Sequence, residues 1–144
     1  MSDGDLRRLY REYLSPRGVD LQAVESGAIG PGTPDTNFCW RGTEGWIENK
    51  WTSGWSPEVR PAQVGWILRR RRAGGRVFFA VRRSHDGGPR RGPPADELYL
   101  IAGDAAKALK DGGIRAVPPE ALIGFWRDGP ARWGWDEFLR LITA

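Results

Sequence analysis

Residues that could support metal chemistry cluster between Pro31 and Trp51, in the stretch PGTPDTNFCWRGTEGWIENKW. Asp35 follows a proline near one end of this stretch, and the triplet Glu48-Asn49-Lys50 lies near the other. The residues between them read as two short strands joined at a tight turn, because glycine tolerates the left-handed backbone that a two-residue hairpin turn requires. Carboxylates that meet across such a hairpin can bind a hard divalent cation through oxygen ligands.

The pairing of the two strands decides whether these carboxylates meet. With Arg41-Gly42 as the turn, counting outward along both strands places Asp35 directly opposite Glu48. Residues opposite each other in a sheet have Cβ atoms about 4.5–5.5 Å apart. Lys50 points to the same face as Glu48, since side chains alternate along a strand. The hairpin therefore predicts an acidic pair and a lysine on one face, and an apolar set for the core on the other.

Two like charges that face each other destabilise a sheet unless they are neutralised. A divalent cation bound by Asp35 and Glu48 would neutralise them, and so would Lys50 alone on an exposed surface. The spacing by itself leaves both interpretations open.

Together, PGTPD and the later IENK resemble the PD-(D/E)XK nuclease superfamily, whose pattern is Pro-Asp, a strand turn, and then acid-X-Lys. The continuation RPAQVGWILRRRRAGGRVFFAVRR is similar to the VRR-nuclease branch and its small phage-type relatives, in which a glutamine-bearing helix leads to a strand. The resemblance covers about Glu25 to Arg83, and it implies a restriction-endonuclease-like core. Mg²⁺ or Mn²⁺ is the cofactor that it implies.

The resemblance also implies a role for individual residues. Asp35 and Glu48 would be metal ligands, the carbonyl of Asn49 would complete the coordination, and Glu25 would be an additional acidic ligand. Lys50 would orient or activate the attacking water. Gln63 would stand near the scissile phosphate, so the implied catalytic set is Asp35, Glu48, Lys50 and Gln63.

Arginine is concentrated in the middle of the chain. The formal net charge is +4 and the isoelectric point is about 9.7, but ten arginines and a single acid, Asp86, lie between Arg60 and Arg91. Such a local field attracts polyanions, and the guanidinium group suits bidentate phosphate contacts. The residues predicted to bind nucleic acid are Arg69, Arg70, Arg82, Arg83 and Trp66, with Gln63, Trp66 and Arg70 on one stripe of a helix whose inward face is Val64, Ile67 and Leu68.

Hydrophobic spacing and turn residues predict an α/β fold with a small mixed central sheet flanked by helices. Predicted helices cover about Asp3–Leu14, the segment from Pro61 to Gly74, DAAKALKDGG with Asp104 as N-cap, and the C-terminal tail. Predicted strands are LQAVES, Asp35–Trp40, Thr43–Trp51, RVFFAVRRS and ELYLIAG. We expect one nuclease domain over residues 1–144, with a core at about 20–111 and a C-terminal helical extension at about 118–144.

Composition limits the class of protein. A hydrophobic fraction of 40% and eight tryptophans favour a folded chain over a disordered one. No apolar run is long enough to span a bilayer, the N-terminus is charged, and Cys39 is the single cysteine. These features predict a cytoplasmic protein with no membrane partner.

The sequence therefore predicts a metal-dependent endonuclease that hydrolyses DNA phosphodiester bonds. Branched DNA in phage or mobile-element recombination and repair is one candidate substrate. A homodimer is expected, because a small nuclease domain needs a symmetric partner to reach two strands. The alternatives are a non-catalytic DNA-binding accessory protein with the same fold and a module whose basic face binds an acidic protein.

Overall fold

The computed structural model describes residues 4–25 and 30–144. Asp3, where the first predicted helix begins, and Ser26, where the predicted strand LQAVES ends, lie outside these residues. Within these residues, the main elements are four α-helices and six strands. The helices are α1 (Gly4–Tyr13), α2 (Pro61–Arg72), α3 (Ala106–Gly112) and α4 (Trp135–Thr143); the strands are β1 (Asp20–Ala23), β2 (Thr36–Trp40), β3 (Thr43–Thr52), β4 (Val77–His85), β5 (Ala95–Ala102) and β6 (Leu122–Trp126).

The six strands form one mixed sheet in sequential order, β1-β2-β3-β4-β5-β6. Neighbouring strands are antiparallel except β3 and β4, which are parallel. A parallel pair needs a crossover connection, and α2 supplies it between the end of β3 and the start of β4. The predicted α/β class with a mixed sheet flanked by helices is confirmed.

Helices cover both faces of the sheet, so the core has two parts. On one face, α1 and α4 pack against side chains that include Phe38, Ile47 and Leu100. On the other face, Ile67 of α2 and Leu109 of α3 pack against alternate residues of β4 and β5. Because strand side chains alternate between faces, neighbouring residues of β3 belong to different layers.

The predicted hairpin register is confirmed. Trp40 pairs with Thr43 across the turn, and both turn residues have left-handed φ angles, 49° at Arg41 and 81° at Gly42. Two residues of this conformation form the type I′ turn that matches the twist of paired strands.

The C-terminal region differs from the prediction. The expected helical extension contains β6, which pairs with β5, and α4 contributes Phe138 and Ile142 to the same core as α1. The strand LIGFW is short and contains no polar side chain, so its sequence lacks the alternation of polar and apolar residues that marks a half-exposed strand. Asp104 also departs from its predicted role, because it forms an ion pair with Arg71 and gives no side-chain cap to the helix.

Among the described helices, none combines the length and the apolar composition needed to cross a bilayer.

Candidate active site

Three polar side chains form a buried cluster between β3 and α2. Lys50 Nζ donates to Gln63 Oε1 at 3.0 Å and lies 3.4 Å from Glu48 Oε2. Gln63 Nε2 donates to the same Glu48 oxygen at 3.1 Å. Counted over whole residues, Glu48, Lys50 and Gln63 are only 4%, 7% and 3% exposed. The structure thus brings together three of the four residues predicted to be catalytic.

The start of α2 fixes the orientation of Gln63. The helix begins with Pro61 at its first turn and with Arg60 as an extended N-cap residue, and the Arg60 backbone N–H donates to Gln63 Oε1 at 2.9 Å. The amide oxygen therefore accepts from Arg60 and Lys50, which leaves the amide nitrogen to donate to Glu48. Gln63 holds the charged pair in place while it also caps the helix.

The predicted division of α2 into an inner and an outer face is correct in part. Ile67 is buried, and the half-buried Val64 and Leu68 pack against the same core, as expected. Gln63, which was expected on a separate stripe, is buried as well. The hydrophobic pattern alone did not show that a polar residue also faces the sheet. The hydrogen bonds of Gln63 to polar groups on β3 explain why a glutamine occupies the inner face.

Asp35 does not form the predicted strand pair with Glu48, because the β2–β3 ladder ends one residue earlier at Thr36 and Ile47. Instead, Asp35 Oδ1 accepts hydrogen bonds from the Asn49 backbone N–H at 3.1 Å and from Asn49 Nδ2 at 2.8 Å. The carboxylate replaces the missing strand as the hydrogen-bond partner of β3. Asp35 thus lies beside the peptide group that joins Glu48 to Asn49.

Asn49 faces the opposite layer from Glu48 and Lys50. Its side chain is fully buried and accepts a hydrogen bond from Tyr10 Oη through Oδ1. In a strand, the N–H and C=O of one residue point to the same side. The Asn49 carbonyl, a predicted metal ligand, therefore points to the edge of β3 where the Asp35 carboxylate lies.

Glu25, the predicted additional metal ligand, is exposed and lies beyond the end of β1. Over residues 4–25 and 30–144, no group of three or more His, Cys, Asp or Glu side chains is arranged to hold a metal ion. The acidic part of the site therefore consists of Asp35 and Glu48, on either side of the Asn49 peptide.

Arg82 and Arg83, predicted to bind nucleic acid, are buried in internal contacts. Arg82 forms two hydrogen bonds of 2.8 Å with Asp96, and Arg83 donates to Glu97 at 2.8 Å. Because the two arginines are neighbours on β4, their side chains lie on opposite faces of the sheet. The prediction missed their acidic partners, which are on the adjacent strand β5.

Arg83 also organises the loop that leads into α2. Its guanidinium carbon lies 3.8 Å from the ring centre of Trp55, and the guanidinium of Arg115 lies over the same ring at 4.2 Å. Cation–π contacts of this kind stabilise the position of an aromatic side chain. Arg83 is thus part of the support for the β3–α2 connection.

The C-terminal end of α2 retains the exposed positive charge. Arg69, Arg70 and Arg72 are exposed and join none of the ion pairs between described residues. The Arg70 guanidinium lies 4.6 Å from the ring centre of Trp66, and Trp66 is half-buried against the core. Arg69 and Arg70 are therefore available as phosphate contacts, while Trp66 supports Arg70.

A separate cleft of about 1070 Å³ lies at the C-terminal ends of β3 and β4. Its lining includes Arg91 and Arg127, but also Asp86 and Asp128. Its mixed charge gives no net attraction for a polyanion, and neither Glu48 nor Lys50 lines it.

Comparison with the models of known protein families and with curated proteins found no match to this chain. The functional argument therefore depends on the geometry and chemistry of the residues themselves.

Proposed function

We propose that this chain is a Mg²⁺- or Mn²⁺-dependent deoxyribonuclease that hydrolyses DNA phosphodiester bonds at the site formed by Asp35, Glu48 and Lys50. The observation that carries the proposal is the buried Glu48–Lys50–Gln63 cluster beside Asp35.

Burying charged side chains, as in this cluster, contributes little net free energy to the stability of a fold. Removing two charges from water costs several kcal/mol per ion, and well-packed apolar residues often do as well or better in the same space. Charged groups held in this way are concentrated at functional sites. The position of the pair, next to a second carboxylate at the end of a strand ladder, supports a chemical role.

The residues present fit a magnesium ion. Mg²⁺ keeps several water ligands and is commonly bound by one or two carboxylates together with substrate phosphate oxygens. Asp35, Glu48 and the Asn49 carbonyl are oxygen donors of the kind that this ion prefers. A site with two carboxylates is therefore sufficient, without Glu25.

When bound, the ion would supply a nucleophilic water at neutral pH and stabilise the negative charge that builds on the phosphate. Asp35 and Glu48 would bind this ion. Lys50 would orient the attacking water, and its ammonium group is positioned by Gln63 Oε1. The internal hydrogen bonds of Gln63 favour this positioning role over the direct phosphate contact implied by the resemblance.

DNA would be held by the exposed arginines of α2. Gln63 at the start of this helix and Arg72 at its end are nine residues apart, which corresponds to about 14 Å at 1.5 Å per residue. The helix α2 can therefore connect the catalytic cluster to contacts with other phosphates of the same DNA strand. Arg69 and Arg70 would neutralise phosphates, whereas Arg82 and Arg83 would not.

Cleavage is the direct test. The purified chain is incubated with linear, flapped, single-stranded and four-way DNA, with and without Mn²⁺. We expect Mn²⁺-dependent cutting that Asp35→Asn and Glu48→Gln reduce by at least 100-fold. Glu44→Gln is the matched control, because Glu44 is an exposed glutamate on the same strand. Cutting by Glu48→Gln at the rate of Glu44→Gln would refute the site.

The salt dependence of DNA binding distinguishes arginines that contact phosphates from arginines that stabilise the fold. Each arginine that neutralises a phosphate contributes about 0.9 to the slope of log affinity against log salt. Arg69→Gln and Arg70→Gln should each flatten the slope, while Arg83→Gln should leave it unchanged and lower the melting temperature. An unchanged slope in both α2 variants would remove this helix from the DNA-binding surface.

The alternative is a DNA-binding accessory protein without catalytic activity, which would use the same exposed arginines of α2. The cleavage panel distinguishes the two, since an accessory protein would bind DNA and leave it intact with Mn²⁺. A homodimer, a cytoplasmic location and action on branched DNA of phages or mobile elements remain part of the proposal. Light scattering of the free and DNA-bound chain tests the dimer.

A further inference from the structure

A buried chain of hydrogen bonds connects the first helix to the proposed metal site. Tyr10 Oη donates to Asn49 Oδ1 at 2.5 Å. Asn49 Nδ2 then donates to Asp35 Oδ1 at 2.8 Å and to Thr36 Oγ1 at 2.9 Å. The link joins residues 39 positions apart in sequence, across the layer opposite Glu48 and Lys50.

The Asn49 amide has one orientation that satisfies all of its partners. A carboxylate oxygen can only accept, so the NH₂ group must face Asp35, and the amide oxygen must then face Tyr10. With the amide reversed, its oxygen would face the oxygen of Asp35, and the carboxylate would keep the backbone N–H of Asn49 as a donor but lose the side-chain donor. The tyrosine hydroxyl therefore favours the amide orientation that supplies a donor to Asp35.

Tyr10 is itself rigidly held. It is 1% exposed, and its ring packs against Phe138 and Trp135 of α4 at centroid distances of 5.7 and 6.2 Å. Burial, together with the negative charge of Asp35, raises the pKa of the Tyr10 hydroxyl well above its usual value. The hydroxyl thus keeps the proton that it donates.

We infer that Tyr10 is a positioning residue that acts through the Asn49 side chain to fix the Asp35 carboxylate beside the Asn49 peptide. The inference rests on the proposed function, since Asp35 is there a metal ligand. Groups that orient a ligand in this way commonly change metal affinity or activity by about 10- to 100-fold when they are removed.

The test is Mn²⁺ affinity, measured by calorimetry on the full chain without DNA. Tyr10→Phe should bind Mn²⁺ about 10- to 100-fold more weakly than the wild type. Tyr13→Phe is the matched control, because Tyr13 is on the same helix and stacks on Trp135 at 5.0 Å but takes no part in the Asn49 hydrogen bonds. It should bind Mn²⁺ like the wild type.

A second variant covers the case in which Tyr10→Phe folds poorly. Tyr10→Phe/Asn49→Leu removes both partners of the hydrogen bond between Tyr10 and Asn49, so neither is left unpaired at that contact. Asp35 and Thr36 lose the Asn49 side-chain donor in this variant, and Asn49→Leu alone is the control for that loss. It retains the Asn49 peptide and both carboxylates. Since both substitutions break the same link, the double variant should lose no more Mn²⁺ affinity than Asn49→Leu alone.

The backbone amide of Asn49 gives a readout in the metal-free protein, because its N–H donates to Asp35. Its hydrogen exchange, measured by NMR, should accelerate in Tyr10→Phe and stay unchanged in Tyr13→Phe.

Mn²⁺ affinity and Asn49 exchange that both match the wild type in Tyr10→Phe would overturn the inference and leave the proposed function standing. A wild-type protein that binds no Mn²⁺ would overturn the proposed function and the inference with it. The wild-type titration therefore distinguishes the two failures.

Discussion

Glu48→Gln should destabilise the protein, because it removes one charge from a buried pair. The side chains of Lys50 and Glu48 are 9% and 6% exposed. Breaking a buried ion pair from one side typically costs about 3–5 kcal/mol, since the remaining charge stays desolvated. Lys50 retains its hydrogen bond to Gln63 Oε1, so we expect the lower end, about 3 kcal/mol.

Urea denaturation at pH 7 measures this loss. With a slope of about 2 kcal/mol per M for a domain of this size, the midpoint should fall by about 1.5 M. The control Glu44→Gln changes an exposed glutamate of β3 in the same way and should shift stability by no more than about 0.5 kcal/mol.

The double variant Glu48→Gln/Lys50→Met removes both charges and leaves none uncompensated. It should recover to within about 1 kcal/mol of the wild type or exceed it, because apolar replacements of buried ion pairs are often neutral or stabilising. A Glu48→Gln midpoint equal to that of Glu44→Gln would refute the reasoning that the pair is desolvated. A double variant less stable than Glu48→Gln would show that the fold needs the ion pair, and the pair would then no longer support a role in function.

Two further predictions concern the surroundings of the site. Gly32→Ala should cost about 3 kcal/mol or more in unfolding free energy, since the added Cβ would lie 2.0 Å from Ala62 O. Gly42→Ala is the control, because Gly42 has a similar φ of +81° but open space around it, and it should cost about 1–2 kcal/mol. Equal losses in the two variants would contradict the steric argument. The hydrogen bond from Arg71 lowers the pKa of Asp104, so the unfolded state takes up this proton first as pH falls. The stability from the pair is therefore present at pH 6 and lost as pH falls below about 4, and Asp104→Asn should show a smaller difference in unfolding free energy between pH 6 and pH 3.

Local patterns in the sequence determined the hairpin. The Arg41-Gly42 turn sets the pairing of Trp40 with Thr43, and strand alternation then places Glu48 and Lys50 on one face. Turn chemistry and side-chain alternation act between neighbouring residues, so they can be predicted without knowing the rest of the fold. The helix α2 and the strand β4 followed from equally local signals.

The partners of the charged residues were decided by tertiary structure. A charge count along the chain shows Arg82 and Arg83 as part of a basic run, but Asp96 and Glu97 reach them across the β4–β5 pair. Charges interact through space, and a residue 14 positions away can be the nearest neighbour of another. Sequence proximity therefore overstated the basic surface.

The surroundings of Asp35 show the same limit. Its carboxylate was expected opposite Glu48, and the end of the strand ladder instead places it against Asn49. Tyr10 has the spacing of an ordinary core residue on an amphipathic helix, and only the packing of α1 on the sheet brings its hydroxyl to Asn49. A buried hydrogen bond requires distance and direction between atoms of different elements, and these are set when the elements pack together.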